Sequence, residues 1–270
     1  MAEVLNFEHN GITVNASESP EAMGGLGDNV IGLVGTAPNA HLSIPKNAPF
    51  RINSFTAQAL LDPTGAESGT LFHAVYQILK VVKVPVYVVI VEEGATPADT
   101  LNNVIGGNEP VTGRKLGLAA LGSVPEDLTI IGAPGFTGTK AVAGEFAAFG
   151  KRIKARVVLD GKDASVADQV TYSGELGGAD LGFDRCLLVH NMPSVYSKAA
   201  KKNVFLAPSS LAIAALAKVK QWESPGNQVT FAEDVSRVVE YNILDTSTEG
   251  DLLNRYGVSY YARTILGGFS

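Results

Sequence analysis

Three features carry residue types capable of chemistry, each at the end of a short apolar run. The first is the glycine-rich turn 132–140, GAPGFTGTK, which precedes a helical pattern. Backbone amides at such a strand-to-helix turn can cradle a phosphate or a carboxylate. The second is Asp160, which closes the next apolar run, about where a ribose-binding acid sits in a dinucleotide site. The third is His190, which closes the run after that and has the chemistry of a general base if a carboxylate such as Asp160 lies within hydrogen-bond reach. Together they describe a nucleotide- or phosphate-ligand enzyme built on Gly132–Gly138 and Asp160.

The spacing argues against that chemistry. The glycines run G-x-x-G-x-x-G rather than G-x-G-x-x-G, and Pro134 stands where a backbone must approach a pyrophosphate. The order Gly138-Thr139-Lys140 is not the G-K-[ST] of a P-loop. A tight turn with a helix start, and a local turn at Asp160-Gly161, account for the same residues. The remaining candidates are weaker. His9, His41, His73 and His190 are scattered with no metal-ligand spacing. Glu92 and Glu93 are adjacent on a strand and face opposite sides. No G-x-S-x-G elbow is present, and Ser209-Ser210 reads as a helix start after Pro208. The 198–202 stretch, KAAKK, reads as a solvated loop, with an acidic partner as its alternative. The single cysteine, Cys186, falls in an apolar run and is expected as a buried structural thiol in a reducing compartment. No coherent catalytic set emerges, so no catalytic residue, metal or cofactor is expected.

The elements that position these residues are readable. Apolar runs at 128–132, 155–160 and 184–190 alternate with helical patterns at 139–154, where Val142, Phe146, Phe149 and Ile153 recur three or four apart, and from 163, where Asp163 is a candidate cap. This β-α-β-α-β series over about 128–190 predicts an α/β fold with a mostly parallel sheet and helices on both faces. It places 132–138, Asp160 and His190 at one carboxyl edge, where ligands bind in open α/β sheets. Upstream, 30–38 is a core strand, 50–53 a short strand, and Ser54 opens a helix to Leu61. Leu71, Val75, Ile78 and Leu79 share a helix face, 84–94 is the most strand-like run, and Thr96-Pro97 is an N-cap followed by an N1 proline. Helix is expected at 115–124 and at 208–222, the latter apolar on nearly all sides. A surface connection is expected at 192–203, strands at 235–243 and 258–264, and a short helix closed by Gly257.

Composition bounds the class. With 46% apolar and 18% charged residues the 270-residue chain is globular. A net charge of −6 argues against a nucleic-acid surface, no apolar stretch is long enough to span a membrane, and no signal peptide is visible. At the start, 4–15 is a lone strand-like segment followed by a Ser-, Pro- and Gly-rich linker. Such a strand pairs either with its own sheet edge or with that of another subunit.

Several segments, in order, resemble the contractile tail sheath proteins of myophages and R-type pyocins. They are NGITVNASESPEAMGG, VIGLVGTAPNA, IPKNAPFRINSF, VPVYVVIVEEG with TLNNVIGG, TGRKLGLAAL, TIIGAPGFT, ARVVLDG and EGDLLNRYGVSYYART. No one segment is diagnostic; the ordered series makes the resemblance specific. It implies a structural subunit that polymerises with copies of itself around a tail tube, on a baseplate, and contracts to drive the tube through a host envelope. It implies a place in the virion tail after assembly in the bacterial cytoplasm. Residues 1–18 would be an arm donated to a neighbour through Val4, Phe7, Ile12 and Val14. Residues 19–29 would be a hinge with Gly24, Gly25 and Gly27, and 30–270 the sheath body. Family members continue beyond the equivalent of Ser270, so a truncated C-terminal portion is expected, and with it a chain that by itself stays monomeric.

Overall fold

The computed structural model describes residues 29–263 with the exception of 163, 179–184, 221–222, 224, 227–231, 243 and 246. The expected arm, and the hinge up to Asp28, therefore lie outside the described residues, as does Asp163.

In chain order the elements are β1 (Ile31–Thr36), β2 (Phe50–Ile52), α1 (Phe55–Ala59), α2 (Leu71–Val81), β3 (Val86–Val91), α3 (Pro97–Ile105), β4 (Gly107–Asn108), β5 (Lys115–Leu116), a 3₁₀ helix (Gly117–Ser123), β6 (Ile130–Gly132), α4 (Lys140–Ile153), β7 (Arg156–Asp160), α5 (Val166–Leu176), β8 (Cys186–Val189), β9 (Pro193–Ser197), β10 (Lys202–Phe205), α6 (Pro208–Lys218), β11 (Asp234–Val235), α7 (Glu249–Arg255) and β12 (Val258–Ser259). Seven strands form one sheet in the order β12-β8-β7-β6-β1-β3-β2. All pairings are parallel except that of β2 with β3 at one edge. The chain runs outward from β1 to β3 and then returns to the other side of β1 for β6. The sheet therefore reverses direction between β1 and β6, the place where an open α/β fold leaves a crevice.

Both faces of the sheet are buried, and alternation along the strands divides the core. Val86, Val88 and Ile90 of β3 join a core with α2 and α6, whereas Tyr87, Val89 and Val91 join a second core with α3, α4 and α5. All six residues of β1 and of β3 are buried, as continuous apolar strands require. Helix α6 packs against α2 and against β6, β7 and β8, and nine of its eleven residues are buried, which explains why its sequence has no polar face. The predicted α/β architecture and its β6-α4-β7-α5-β8 core are thus borne out.

Local signals set the helix starts. Thr96 accepts a hydrogen bond from the Asp99 amide and Asp99 reaches back to the Thr96 amide, a complete capping box ahead of Pro97. Ser54 caps α1 and Ser165 caps α5. Elsewhere the fold departs from expectation. The 115–124 stretch is a two-residue strand and a 3₁₀ helix rather than an α-helix. Gly117 sits at φ +53, and a Cβ there would meet the Asn103 carbonyl oxygen at 2.4 Å, so the chain turns sharply on entry. The 192–203 connection is an antiparallel hairpin, β9 with β10, extended by β11 into a small three-stranded sheet. Of the strand expected at 235–243, only Val235 belongs to β11, and β12 ends at Ser259. Cys186 is half-buried at the first position of β8, not enclosed in the core.

Two glycines of α4 test this packing in opposite directions. A Cβ on Gly150 would lie 2.2 Å from Val157 Cγ2 on β7, whereas one on Gly144 meets nothing within 4 Å. Gly144→Ala is expected to stabilise the protein by about 0.5–1 kcal/mol through helix propensity. Gly150→Ala is expected to destabilise it by about 1–3 kcal/mol, because the buried strand cannot retreat. Paired thermal or urea denaturation of the two variants checks both signs.

Candidate functional site

The candidate edge is occupied by the protein's own groups. The Asp160 carboxylate, at the end of β7, is buried. Its Oδ2 accepts from the Gly135 amide at 2.9 Å and from Thr137 Oγ1 at 2.8 Å, and its Oδ1 accepts from the Ser209 amide at 2.8 Å. The Asp160 amide in turn donates to Thr137 Oγ1 at 2.7 Å. The anion cradle of the glycine-rich turn therefore exists, and the anion in it is Asp160. Two further amides of that turn are closed internally, Phe136 to the Ala133 carbonyl and Thr139 to the Phe136 carbonyl. Gly135 needs its flexibility, with φ +86 and Thr70 Cγ2 3.3 Å from where a Cβ would be.

One carboxylate thus ties three elements. Asp160 belongs to β7, Gly135 and Thr137 to the turn between β6 and α4, and Ser209 to the first turn of α6, whose amides have no intrahelical partner. Burial pushes the Asp160 carboxyl above its ordinary value, and the donors from Ser209, Thr137 and Gly135 pull it part of the way back. Around it, Tyr172 donates to the Thr137 carbonyl at 2.7 Å and Tyr261 to the Pro208 carbonyl at 2.5 Å. Burial raises both phenols, with the Asp160 charge adding to the shift, so they are neutral donors.

His190 is fully buried and its amide donates to the Ser259 carbonyl at 2.8 Å, linking β8 to β12. The structure brings it to the same edge as Asp160, as its place in the sequence implies. Neighbouring Asn191 acts like a strand: its Oδ1 accepts from the Tyr261 amide at 2.7 Å and its Nδ2 donates to the Tyr261 carbonyl at 3.0 Å. Gly161 leaves no room for a side chain, since a Cβ would lie 2.6 Å from the Val189 carbonyl oxygen.

The crevice at the β1/β6 reversal is closed by the loop before α2. The Thr70 amide donates to the Thr36 carbonyl at 3.0 Å, and the Thr36 amide to Thr70 Oγ1 at 3.2 Å. Beyond it remains a cleft of about 360 Å³ between that loop and the β9–β10 hairpin, lined by Glu67, Thr70, His73, Ser197 and Ser210 among others. Its acid is engaged as well. Glu67 accepts from Ser197 Oγ at 2.5 Å and from the Lys198 amide at 3.2 Å, and stands 3.5 Å from His73 Nε2. This contact pins the hairpin tip to the α/β body. Burial lowers the His73 pKa, and the charge of Glu67 raises it part of the way back.

Other candidates separate. Glu92 pairs with Lys46 at 2.6 Å on the exposed surface, and His41 bonds Ser43 in an exposed loop. The 198–202 lysines lie on the hairpin turn. Among the described residues no group of three or more metal-ligating side chains occurs. Val4, Phe7, Ile12, Val14, Gly24, Gly25 and Gly27 lie outside the described residues. Sequence reasoning missed Thr137 and Ser209 as partners of Asp160, and the Glu67–Ser197 contact. The one available signal was a polar residue in an otherwise apolar setting, as at Thr137 and at the start of α6.

No family model matches the chain. A protein of Pseudomonas aeruginosa (strain UCBPP-PA14), assigned as a prophage major tail sheath protein, is 26% identical over 273 residues, covering 96% of this chain and 67% of its own length. In fold, the chain is similar to a chain in a cryo-EM structure of an extracellular contractile injection system, the PVC sheath complex in its contracted state. That match has a TM-score of 0.58 at 15% identity, and covers 100% of this chain and 64% of the other. The chain thus spans about two-thirds of the length of each. The resemblance to contractile sheath proteins is borne out in sequence by the first and in fold by the second.

Two outcomes are expected from the edge. Asp160→Ala leaves the Gly135 and Ser209 amides and the Thr137 hydroxyl without their acceptor and should destabilise the protein by roughly 2–4 kcal/mol. The pH dependence has an unusual sign. Because the folded-state pKa of Asp160 is raised, the folded protein gives up this proton at a higher pH than the unfolded chain does. The proton-linked part of its stability is therefore full below the ordinary carboxylate pKa and is lost as pH rises toward the raised value. Urea denaturation between pH 4 and pH 7 should show the wild-type advantage over Asp160→Ala growing as pH falls.

Proposed function

We propose that this chain is a structural subunit of a phage-type contractile tail sheath, which polymerises with copies of itself around a tail tube and contracts. The observation that carries the reading is the 26% identity to the prophage tail sheath protein over 96% of this chain. The fold match over the whole chain supports the same reading. The physical character of the body fits it. A doubly covered sheet whose edge carboxylate, amides and hydroxyls are bonded to one another makes a rigid block, and a contractile lattice moves rigid blocks relative to one another.

The functional residues of such a subunit lie in its connections. Residues 1–18 act as an arm that adds a strand to a neighbour's sheet, with Val4, Phe7, Ile12 and Val14 as its apolar positions. Residues 19–29 act as the hinge, where Gly24, Gly25 and Gly27 absorb the change of angle between subunits. Main-chain hydrogen bonds then persist while the bodies shift. Contraction passes from a metastable lattice, set up at assembly, to a more stable one, and uses no nucleotide. The nucleotide-enzyme alternative requires the amides of the 132–138 turn for a ligand, and Asp160 holds the Gly135 amide. The tail tube and baseplate are the further partners, the virion tail the location, and the bacterial cytoplasm the place of assembly. Neither catalysis nor a cofactor belongs to this role.

The test is assembly. Expressed with the tube and baseplate components of its own system, the protein should give striated tubes in negative-stain electron microscopy. Deletion of residues 1–18 should leave a folded protein that no longer joins them. A wild-type protein that stays monomeric with tube and baseplate present would overturn the reading.

A further inference from the structure

The amino edge of the sheet carries the converse of the arrangement at Asp160. Parallel pairing sets Val157 of β7 opposite Cys186 of β8, and Val158 opposite Leu187. One step back along both strands, Arg156 therefore stands beside Arg185, and the Val157 amide donates to the Arg185 carbonyl at 2.8 Å. Alternation puts both side chains on one face. Val158, two residues after Arg156, belongs to the α2/α6 core, and Leu187, two residues after Arg185, packs against that core. Val157 and Cys186 pack on the other face. Neighbouring strands lie about 4.8 Å apart, so the register holds two guanidinium side chains next to each other. Both line one cleft of about 620 Å³, with Leu187, Leu216 and Pro225 among its other walls.

Among the described residues neither cation has a carboxylate partner. Arg156 reaches the Asn29 Oδ1 at 3.4 Å, and Arg185 reaches the Lys154 carbonyl at 3.0 Å, both neutral oxygens. Asn29 is itself committed, donating to the Ala217 carbonyl and accepting from Thr129 Oγ1. Glu223, two residues before Pro225, accepts from the Lys220 amide instead. Arg156 is half-buried, and its loss of water pushes the guanidinium pKa down with no acid to offset it. Like charges at directly opposed positions repel, and a partly buried charge without a counter-charge is costly. One bound anion relieves both. A guanidinium is a planar fork of donors that matches the paired oxygens of a carboxylate or a phosphate, and apolar walls strengthen such bonds by excluding water. At the carboxyl edge the protein supplies both the donors and the anion; here it supplies the donors. We propose that Arg156 and Arg185 form a binding site for an oxoanion, a phosphate or a carboxylate, held between the two guanidiniums at the amino edge of the sheet. The site is a property of the α/β body and stands independently of the sheath reading.

Anion titration of the full chain tests it. Melting temperature is measured against inorganic phosphate and, separately, against succinate, each at millimolar concentration and with chloride holding the ionic strength constant. The wild-type protein should show a rise that saturates, as binding to the folded state requires. A response to phosphate assigns the site to phosphate chemistry, and a response to succinate alone assigns it to carboxylates. Both anions also stabilise proteins by exclusion from their surfaces, an effect that does not depend on these two side chains. Arg156→Gln and Arg185→Gln should therefore each lose the saturating rise. Arg152→Gln, which removes an exposed cation lining a different cleft, should keep it. Arg185 is exposed, so its variant carries the test even if Arg156→Gln fails to fold. A flat wild-type response to both anions would overturn the proposal. An equal rise in the wild type and in Arg185→Gln would overturn it as well.

Discussion

A carboxylate taken out of water needs oriented donors in place of its hydration shell, and the rest of this molecule depends on how Asp160 obtains them. Its partners are two amides and a hydroxyl, with no ion pair among the described residues. Each donor comes from an element that would otherwise be poorly tied down. Gly135 and Thr137 belong to a turn at the reversal of the sheet, and the Ser209 amide belongs to a helix start that no side chain of its own caps. The penalty of burying one charge is set against donors that would themselves be unsatisfied in the interior. The net effect of burial still raises the carboxyl's pKa, so the contact is better understood as a device for position than as a source of stability. It fixes α6, the helix buried on nearly all sides, at the edge of the sheet that it covers.

From that fixed point the two layers follow. Alternation along β3 divides its side chains between an α2/α6 core and an α3/α4/α5 core, and β1 and β3 have no exposed position. Three strand ends are closed along the same edge. Thr70 closes the end of β1, Asp160 the end of β7, and the His190 amide and Asn191 the end of β8 against β12. In an α/β enzyme this edge is held open by glycines whose amides await a ligand. Here the Asp160 carboxylate, the Gly135 and Ser209 amides and the Thr137 hydroxyl satisfy one another across three elements of the fold. A cleft lies where the hairpin leans on the body through Glu67.

What was legible in the sequence was local or periodic. The Thr96-Pro97 start is a complete capping box because its three components lie within four residues. The β-branched run of β3 and the all-round apolar pattern of α6 report burial on both faces directly. What was not legible depends on partners far along the chain. Asp160 meets Thr137 from 23 residues away and Ser209 from 49, and Ser197 meets Glu67 from 130. The β9–β10 hairpin was hidden because its turn, Lys198–Lys201, carries charge and alanine rather than the Asn-Gly or Gly-Gly of a tight hairpin. The 115–124 stretch has the leucines and alanines of an α-helix, but Gly117 must pass the Asn103 carbonyl oxygen at a positive φ, and the chain tightens into a 3₁₀ turn.

The glycine-rich turn shows why a ligand motif and a structural motif are hard to separate by residue type. Both need a backbone that turns sharply after a strand, both expose amides at a helix start, and both place an acid at the end of the next strand. They differ in what the acid faces. In a dinucleotide site it reaches away from the turn toward a ribose, so the amides stay available for the pyrophosphate. In this fold Thr137 and Gly135 stand close enough to the end of β7 for Asp160 to reach back into the turn itself. With G-x-x-G-x-x-G spacing, Gly135 falls where its amide points at the neighbouring strand end and Thr137 supplies the hydroxyl beside it. The spacing that failed as a nucleotide fingerprint is thus the spacing that lets the protein supply its own anion.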